Sequence, residues 1–219
     1  MIKLRLKFSK LGRGQYISHL DLLRTFTRSI VRAALPVEYS QGFSPHQLIT
    51  FALPLPVGVT SETEFVDIEW RDGTTPGEIK EKLILPPDLK ILDVGIPNKK
   101  AKDIISAEYK ITLSTGGKLD IKKIRKFFMQ KEVIVSKRSK RSVQNVNLME
   151  FIHDAEIVNA TEKEVTLRLV LSAGNEKNLK PDLVVNTLEE QVLNSPFDHM
   201  AIHRTNVFCE NDNKIENFS

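Results

Sequence analysis

The sequence predicts an α+β fold made of two tandem ferredoxin-like units, each ordered β-α-β-β-α-β. Three observations predict it. Apolar residues alternate at the start of each half, as Ile2, Leu4, Leu6 and Phe8 and again as Tyr109, Ile111 and Leu113. Each run leads into a basic stretch with apolar residues at helical spacing. The same order of strand and helix signals then restarts after a Pro/Asn/Lys segment at 96–103, which reads as a linker. The expected boundaries are a first domain over 1–95, a second over 104–209, and a polar tail over 210–219 that frays.

The first strand has one apolar face and one basic face, Lys3, Arg5 and Lys7. Ser18, with Asp21 three residues on, caps a helix that runs to about Ala34. Its expected apolar side is Leu20, Leu23, Thr27, Ile30, Val31 and Ala34, and Pro36 stops it. Residues 37–39 form a short strand, and Phe65, Val66, Ile68 and Trp70 mark another, ended by Asp72-Gly73. Thr75 caps a short helix with Pro76 in its first turn, and a closing strand covers 89–94. In the second half a helix covers 118–130, with strands at 133–135, 151–158 and 165–171. A Pro-initiated helix at 181–193 and a last strand at 200–208 follow.

Composition is that of an ordinary globular protein, with 41% hydrophobic and 27% charged residues. No apolar run reaches the length of a membrane span, and the N-terminus alternates rather than forming a signal core. The single cysteine, Cys209, can form no internal disulfide and reads as a buried small hydrophobe. Together these point to the cytoplasm. The net charge of +4 is unevenly spread. Residues 1–35 hold eight basic side chains and one acid, Asp21, while residues 118–141 hold ten against Asp120 and Glu132. Basic blocks of this kind attract polyanions.

The basic residues also follow a pattern. Arg24, Arg28 and Arg32 recur every four residues, as do Lys118, Lys122 and Lys126, so each set shares one helix face. A solvated helix face pairs its cations with carboxylates one turn away, and here only Asp21 and Asp120 are at hand. The expected nucleic-acid surface is therefore these six residues with Lys3, Arg5, Lys7, Arg13, Lys137 and Arg138. Phosphate contact accounts for such stripes, while base recognition needs other groups. Gly12-Arg13-Gly14 could cradle a phosphate with its amides or be an ordinary turn.

Few residues offer catalytic chemistry. There is no P-loop and no Cys/His zinc pattern, so no cofactor or metal is expected. His19 at the start of the first helix and His46 in a Gly/Pro loop could act as a general acid–base pair on RNA. The tandem fold offers an analogy to CRISPR repeat-processing endonucleases. The structural alternative has His19 and Asp21 capping the helix while His46 fixes the loop. Phe43 either stacks on a base or plugs its own core. The Leu53-Pro54-Leu55-Pro56-Val57-Gly58 run is either a wrapping loop or a docking surface, because its prolines exclude a central strand.

One stretch carries a specific likeness. Tyr16-Ile17-Ser18-His19-Leu20-Asp21 is followed by Tyr39-Ser40-Gln41-Gly42-Phe43-Ser44-Pro45-His46, then by Leu55-Pro56-Val57-Gly58-Val59-Thr60-Ser61 and late by Asn178-Leu179-Lys180-Pro181. These motifs resemble the radical-SAM-associated family, an uncharacterised bacterial domain found beside or fused to cobalamin-type radical SAM proteins. The resemblance implies a radical SAM protein as partner and names no reaction. One cysteine cannot supply the thiolates of such an enzyme's iron–sulfur cluster, so the chain would be an accessory subunit. The leading reading is a non-catalytic RNA-binding or adaptor protein acting with a radical SAM enzyme in RNA modification or processing. Two alternatives stand beside it: a metal-independent RNA endonuclease using His19 and His46, and a protein-only scaffold for the partner.

Overall fold

The computed structural model describes residues 1–138, 143–175, 177–192, 196–211 and 214–219, without the side chains of 137, 138, 143, 144, 211 and 214. The fold is α+β, with four α-helices among the described residues. The chain divides into two compact units, Met1–Ile104 with Asn211–Ser219 (unit 1) and Ile105–Glu210 (unit 2). No helix among the described residues is long and apolar enough to cross a membrane.

Unit 1 is built on β1 (Ile2–Lys10), whose Leu4, Leu6 and Phe8 are fully buried. Helix α1 (His19–Arg32) follows, then β2 (Ile49–Phe51), β3 (Val59–Trp70), α2 (Pro76–Lys82) and β4 (Leu89–Gly95). β1 pairs antiparallel with β3 on one side and β4 on the other, and β2 pairs antiparallel with β3. The second strand thus lies at 49–51 rather than at 37–39. Pro36 brings the chain alongside the end of β3, where Val37 makes only an isolated bridge to Trp70. The apolar Ile49 and Phe51 can instead pair along the middle of β3.

The caps of both helices follow the sequence. The Ser18 hydroxyl accepts the Asp21 amide at 3.2 Å, and the Thr75 hydroxyl accepts the Glu78 amide at 3.2 Å. The buried face of α1 differs from the expected one. Leu22, Phe26, Ser29 and Ile30 are buried, while Leu20 and Val31 are 62% and 61% exposed. Phe26 sets the rotation, because it packs edge-on against Phe8 at 5.1 Å and Phe51 at 5.6 Å. Burying that ring turns Leu20 and Val31 out to water.

The linker and tail are held within unit 1. Lys99 donates to the Asn217 carbonyl at 2.7 Å and pairs with Glu216 at 2.9 Å. The described end of the tail does not fray. It forms a strand over Lys214–Asn217, and Phe218 is only 3% exposed, edge-on to Phe65 at 5.1 Å. One aromatic at the end of a polar segment supplies the apolar anchor that the composition conceals.

Unit 2 runs through β5 (Ile104–Ser114), α3 (Ile121–Phe128), β6 (Ile134–Arg138), β7 (Val143–Asn147), β8 (Ile152–Ala160), β9 (Glu164–Ser172), α4 (Pro181–Val192) and β10 (His199–Asn211). Its main sheet has the order β10-β5-β9-β8, with β5 and β8 both antiparallel to β9. Ala107, Tyr109, Ile111 and Leu113 of β5 and Val165, Leu167, Leu169 and Leu171 of β9 form the buried sheet face, with Ile124, Phe127, Val184, Val185 and Leu188 contributed by the helices. Cys209 is buried on β10. β6 and β7 make a separate two-stranded hairpin. Its second strand, Val-Gln-Asn-Val-Asn, gives no clear two-residue alternation, so the sequence predicts only its partner.

Candidate polyanion-binding surface

Cations recur through the chain, and the partners of those expected at the surface differ from element to element. On β1, Lys3 and Arg5 stand opposite Glu69 and Asp67 of β3 in the antiparallel register, so each cation faces an acid on the same sheet surface. Lys3 pairs with Glu69 at 3.2 Å. Arg5 is 4% exposed and grips Asp67 with two bonds, Nε to Oδ1 at 2.6 Å and Nη2 to Oδ2 at 2.9 Å. Its remaining donors reach the Ser219 carbonyl at 2.8 Å and the Lys99 carbonyl at 2.9 Å, and its guanidinium lies 4.3 Å from the Phe218 ring centre. Arg5 is therefore a structural residue and not a surface contact for phosphate. Lys7 is half-buried, with its ammonium 5.9 Å from the centre of the Phe65 ring.

On α1 the arginine stripe is exposed but mostly engaged. Arg24 pairs with Asp21 at 2.9 Å, and Arg32 donates to the Ile84 carbonyl at 2.8 Å and to Ser29 Oγ at 3.3 Å. Arg28 is exposed and within the field of the same aspartate. The Asp21 carboxyl is held below its ordinary pKa, first by the Ser18 hydroxyl at 2.7 Å and then by Arg24. Arg13 is exposed on the Gly12–Tyr16 turn. That turn packs on Asp88: Gly12 has φ +50°, and a Cβ there would meet the Asp88 carboxylate at 2.5 Å. A carboxylate beside the turn argues for ordinary structure over a phosphate cradle.

α3 is different. Asp120 caps it by accepting the Lys123 amide at 3.1 Å, which leaves Lys118 ahead of the helix, paired with Glu162 at 2.9 Å. The expected 118/122/126 stripe is therefore not one helix face. Ile124 and Phe127 face the core, and Lys122, Lys123, Arg125 and Lys126 are all exposed. Among the described residues no carboxylate lies within ion-pairing distance of these four side chains. The helix dipole favours Arg125 and Lys126 near the C-terminus but opposes Lys122 and Lys123 in the first turn. Helix stability thus leaves two of the four unexplained. Lys123 and Arg125 fall outside the i, i+4 series, which is why periodicity overlooks them. The side chains of Lys137 and Arg138, on β6, lie outside the described residues.

The motif loop is closed at its base and open at its tip. The Ser40 amide donates to the His46 carbonyl at 2.8 Å, the His46 amide to Ser40 Oγ at 3.1 Å, and Ser40 Oγ lies 2.8 Å from His46 Nδ1. Gln41, Gly42, Phe43, Ser44, Pro45 and His46 are exposed, with Gly42 at φ +121°. Phe43 is fully exposed and plugs no core. Ser18 and Asp21 belong to the α1 cap, and His19 lies edge-on to Phe51 at 5.3 Å. His46 is thus engaged by Ser40 and His19 by Phe51. Among the described residues no group of three or more His, Cys, Asp or Glu could hold a metal ion.

Comparison with known proteins places the chain. Residues 3–181 match the family described as an uncharacterized protein conserved in bacteria, DUF2344. The chain belongs to that family. No curated protein matches this DUF2344 member. Among solved structures, it is similar to a chain of a Cbf5-Nop10-Gar1 complex, with a TM-score of 0.54 and 12% identity, over 95% of this chain and 50% of that one. It is also similar to a chain of an H/ACA RNP bound to a substrate RNA containing 2'-deoxyuridine, with a TM-score of 0.42 and 15% identity, over 72% of this chain and 38% of that one. The DUF2344 member spans half or less of the length of these chains, and at 12% identity the likeness to the Cbf5-Nop10-Gar1 chain is one of fold.

Proposed function

We propose that this chain is a non-catalytic RNA-binding accessory protein that captures phosphates on α3, and that it works with a radical SAM protein in RNA modification or processing. The observation that carries the RNA part is the set of four exposed cations on α3 without a carboxylate partner. Lys3, Arg5, Arg24, Arg32 and Lys118 of the expected surface are held by acids or backbone carbonyls, whereas α3 gathers four exposed cations within five residues, so it offers the denser charge to a polyanion. The radical SAM partner is supported by the motif resemblance. We read both units as ferredoxin-like. The orders β4-β1-β3-β2 and β10-β5-β9-β8 support this, since each places the first and third strands of its unit side by side. The β6–β7 hairpin is then an insertion in the second unit.

The test is a binding titration of the full chain with a structured RNA across a salt series. Each phosphate contact adds roughly 0.7–0.9 to the slope of log affinity against log salt. A shallow slope, no binding at low salt, or equal affinity for polyglutamate rejects the reading.

A further inference from the structure

Phosphate capture uses the charges of α3 and leaves unused the crevice between that helix and β8. A cavity of about 310 Å³ opens there, lined by Arg125, Phe128 and Met129 of α3 and by Ala155, Glu156 and Ile157 of β8. The sequence builds its two walls differently. On the helix, Ile124 and Phe127 take the core, and Arg125, Phe128 and Met129, at i, i+3 and i+4, share the flank beside it. The Phe128 ring is half-buried and stands edge-on to Phe127, with 5.0 Å between ring centres. Met129 is 73% exposed. On the strand, Ala155 and Ile157 stand opposite Leu169 and Leu167 of β9, on the sheet face that the helices cover, and both are half-buried. Glu156 stands opposite Arg168 on the other face and bonds it at 3.0 Å, so the cavity meets its main chain rather than its charge. β8 ends the order β10-β5-β9-β8, so alternate amides and carbonyls along 155–157 have no strand partner among the described residues.

We infer that this cavity receives the base of an unpaired nucleotide, so that the RNA held by α3 is single-stranded at that point. The inference deepens the proposed RNA capture and rests on it. Arg125 joins the two, since it lines the cavity and belongs to the cationic surface. Among the described residues no carboxylate pairs with it, nor with Lys122 one turn before it or Lys126 after it. A nucleotide links a phosphate to a flat ring through one sugar. A helix that offers cations and, one turn on, an aromatic ring beside a thioether meets both ends. The open edge of β8 adds donors and acceptors for the rim of the base. Duplex RNA uses the cations alone, because its bases are stacked inside. An acidic peptide is disfavoured by the β8 wall. Glu108, Asp154 and Glu156 share a single guanidinium, Arg168, which leaves that strand negative. A neutral base lies against it without cost, whereas a row of carboxylates is repelled.

The experiment measures binding of the full chain to an unstructured oligoribonucleotide, to the same strand annealed to its complement, and to heparin, which carries charge without bases. Phe128→Trp places an indole in the cavity, against a constant background from Trp70, the one native tryptophan and fully buried. The single strand should quench the new indole, while duplex and heparin, bound to the cations, should leave it unchanged. Phe128→Leu keeps an apolar side chain without an aromatic face. It should weaken single-strand binding about fivefold or more at an unchanged salt slope and leave heparin binding as it was. The indole readout decides alone if the melting temperature shows that Phe128→Leu does not fold. The inference is overturned by equal quenching with duplex or heparin, by single-strand affinity that Phe128→Leu does not change, or by polyglutamate affinity that falls in Phe128→Leu as much as RNA affinity does. Heparin binding that Lys126→Glu weakens, without quenching by the single strand, sinks the base pocket and leaves capture by α3 standing. No binding of any polyanion sinks both.

Discussion

Helices α1 and α3 carry the same kind of sequence, cations spaced four apart after a capped start, yet they use the charge differently. On α1, Asp21 lies in the first turn and holds Arg24, while Arg32 reaches back to a carbonyl at Ile84. On α3, the first turn holds no acid beyond the cap itself, and Lys122 and Lys123 stand where the dipole repels them. Spacing fixes which face a charge occupies. Whether the charge is available depends on what the rest of the fold brings within 4 Å, and that is a property of tertiary structure. β1 makes the point most sharply, since Lys3, Arg5 and Lys7 look free in sequence and two of them meet acids across the strand.

The largest expected effect therefore lies in unit 1 and concerns stability. Arg5→Ala leaves the partly buried Asp67 carboxylate without its partner and removes the group that holds Ser219 and Phe218. Breaking a fully buried pair costs about 3–5 kcal/mol, and the partial exposure of Asp67 places this one at about the lower end of that range. Denaturant unfolding of the variant checks this. Loss of RNA affinity in Arg5→Ala with unchanged stability would return Arg5 to the binding surface and erase the contrast.

Next comes the charge reversal of α3. Lys122→Glu with Lys126→Glu should weaken RNA binding by tenfold or more and lower the salt slope by roughly 1.4–1.8 for two lost contacts. Stability should stay within about 0.5 kcal/mol, because both side chains are exposed and unpaired. The same reversal at Arg24 and Arg28 should change RNA affinity less than twofold. Equal losses at both helices would show that pairing with Asp21 does not decide which cations are available.

These contrasts explain how far the sequence could be read. Local rules were enough where the cause is local: the alternation of Leu4, Leu6 and Phe8, the hydroxyl caps Ser18 and Thr75, and the proline start of α4. They failed where the cause is a distant residue. The rotation of α1 depends on Phe26 meeting Phe8 and Phe51, and the fate of Arg5 depends on the β1–β3 register. A signal for the latter was present, since Asp67 and Glu69 alternate with Val66, Ile68 and Trp70 and so share a face that could oppose Lys3 and Arg5. Phe218 was hidden by the polar residues around it. The site was legible as a basic segment, 118–141, but periodicity chose Lys118, which is paired, over Lys123 and Arg125, which are free of acids.

The smallest expected effect tests why α1 is electrostatically closed. The Asp21 carboxyl is depressed below 3.8, with the Ser18 hydroxyl as the largest cause and Arg24 the second. A depressed carboxylate contributes stability that is present above its unfolded pKa and is lost as pH falls through its folded pKa. The Asp21 contribution is therefore intact near neutrality and disappears only below pH 3.8. The four α3 cations have no carboxylate to lose in that range. Carbon-detected NMR titration of the Asp21 carboxyl gives the check. Ser18→Ala should raise its pKa more than Arg24→Ala does, and neither variant should alter RNA affinity at neutral pH. If Arg24→Ala produces the larger rise, the ion pair rather than the cap organises this turn. Arg24 would then be as much a part of the helix start as Ser18, and its stripe still less a surface for phosphate.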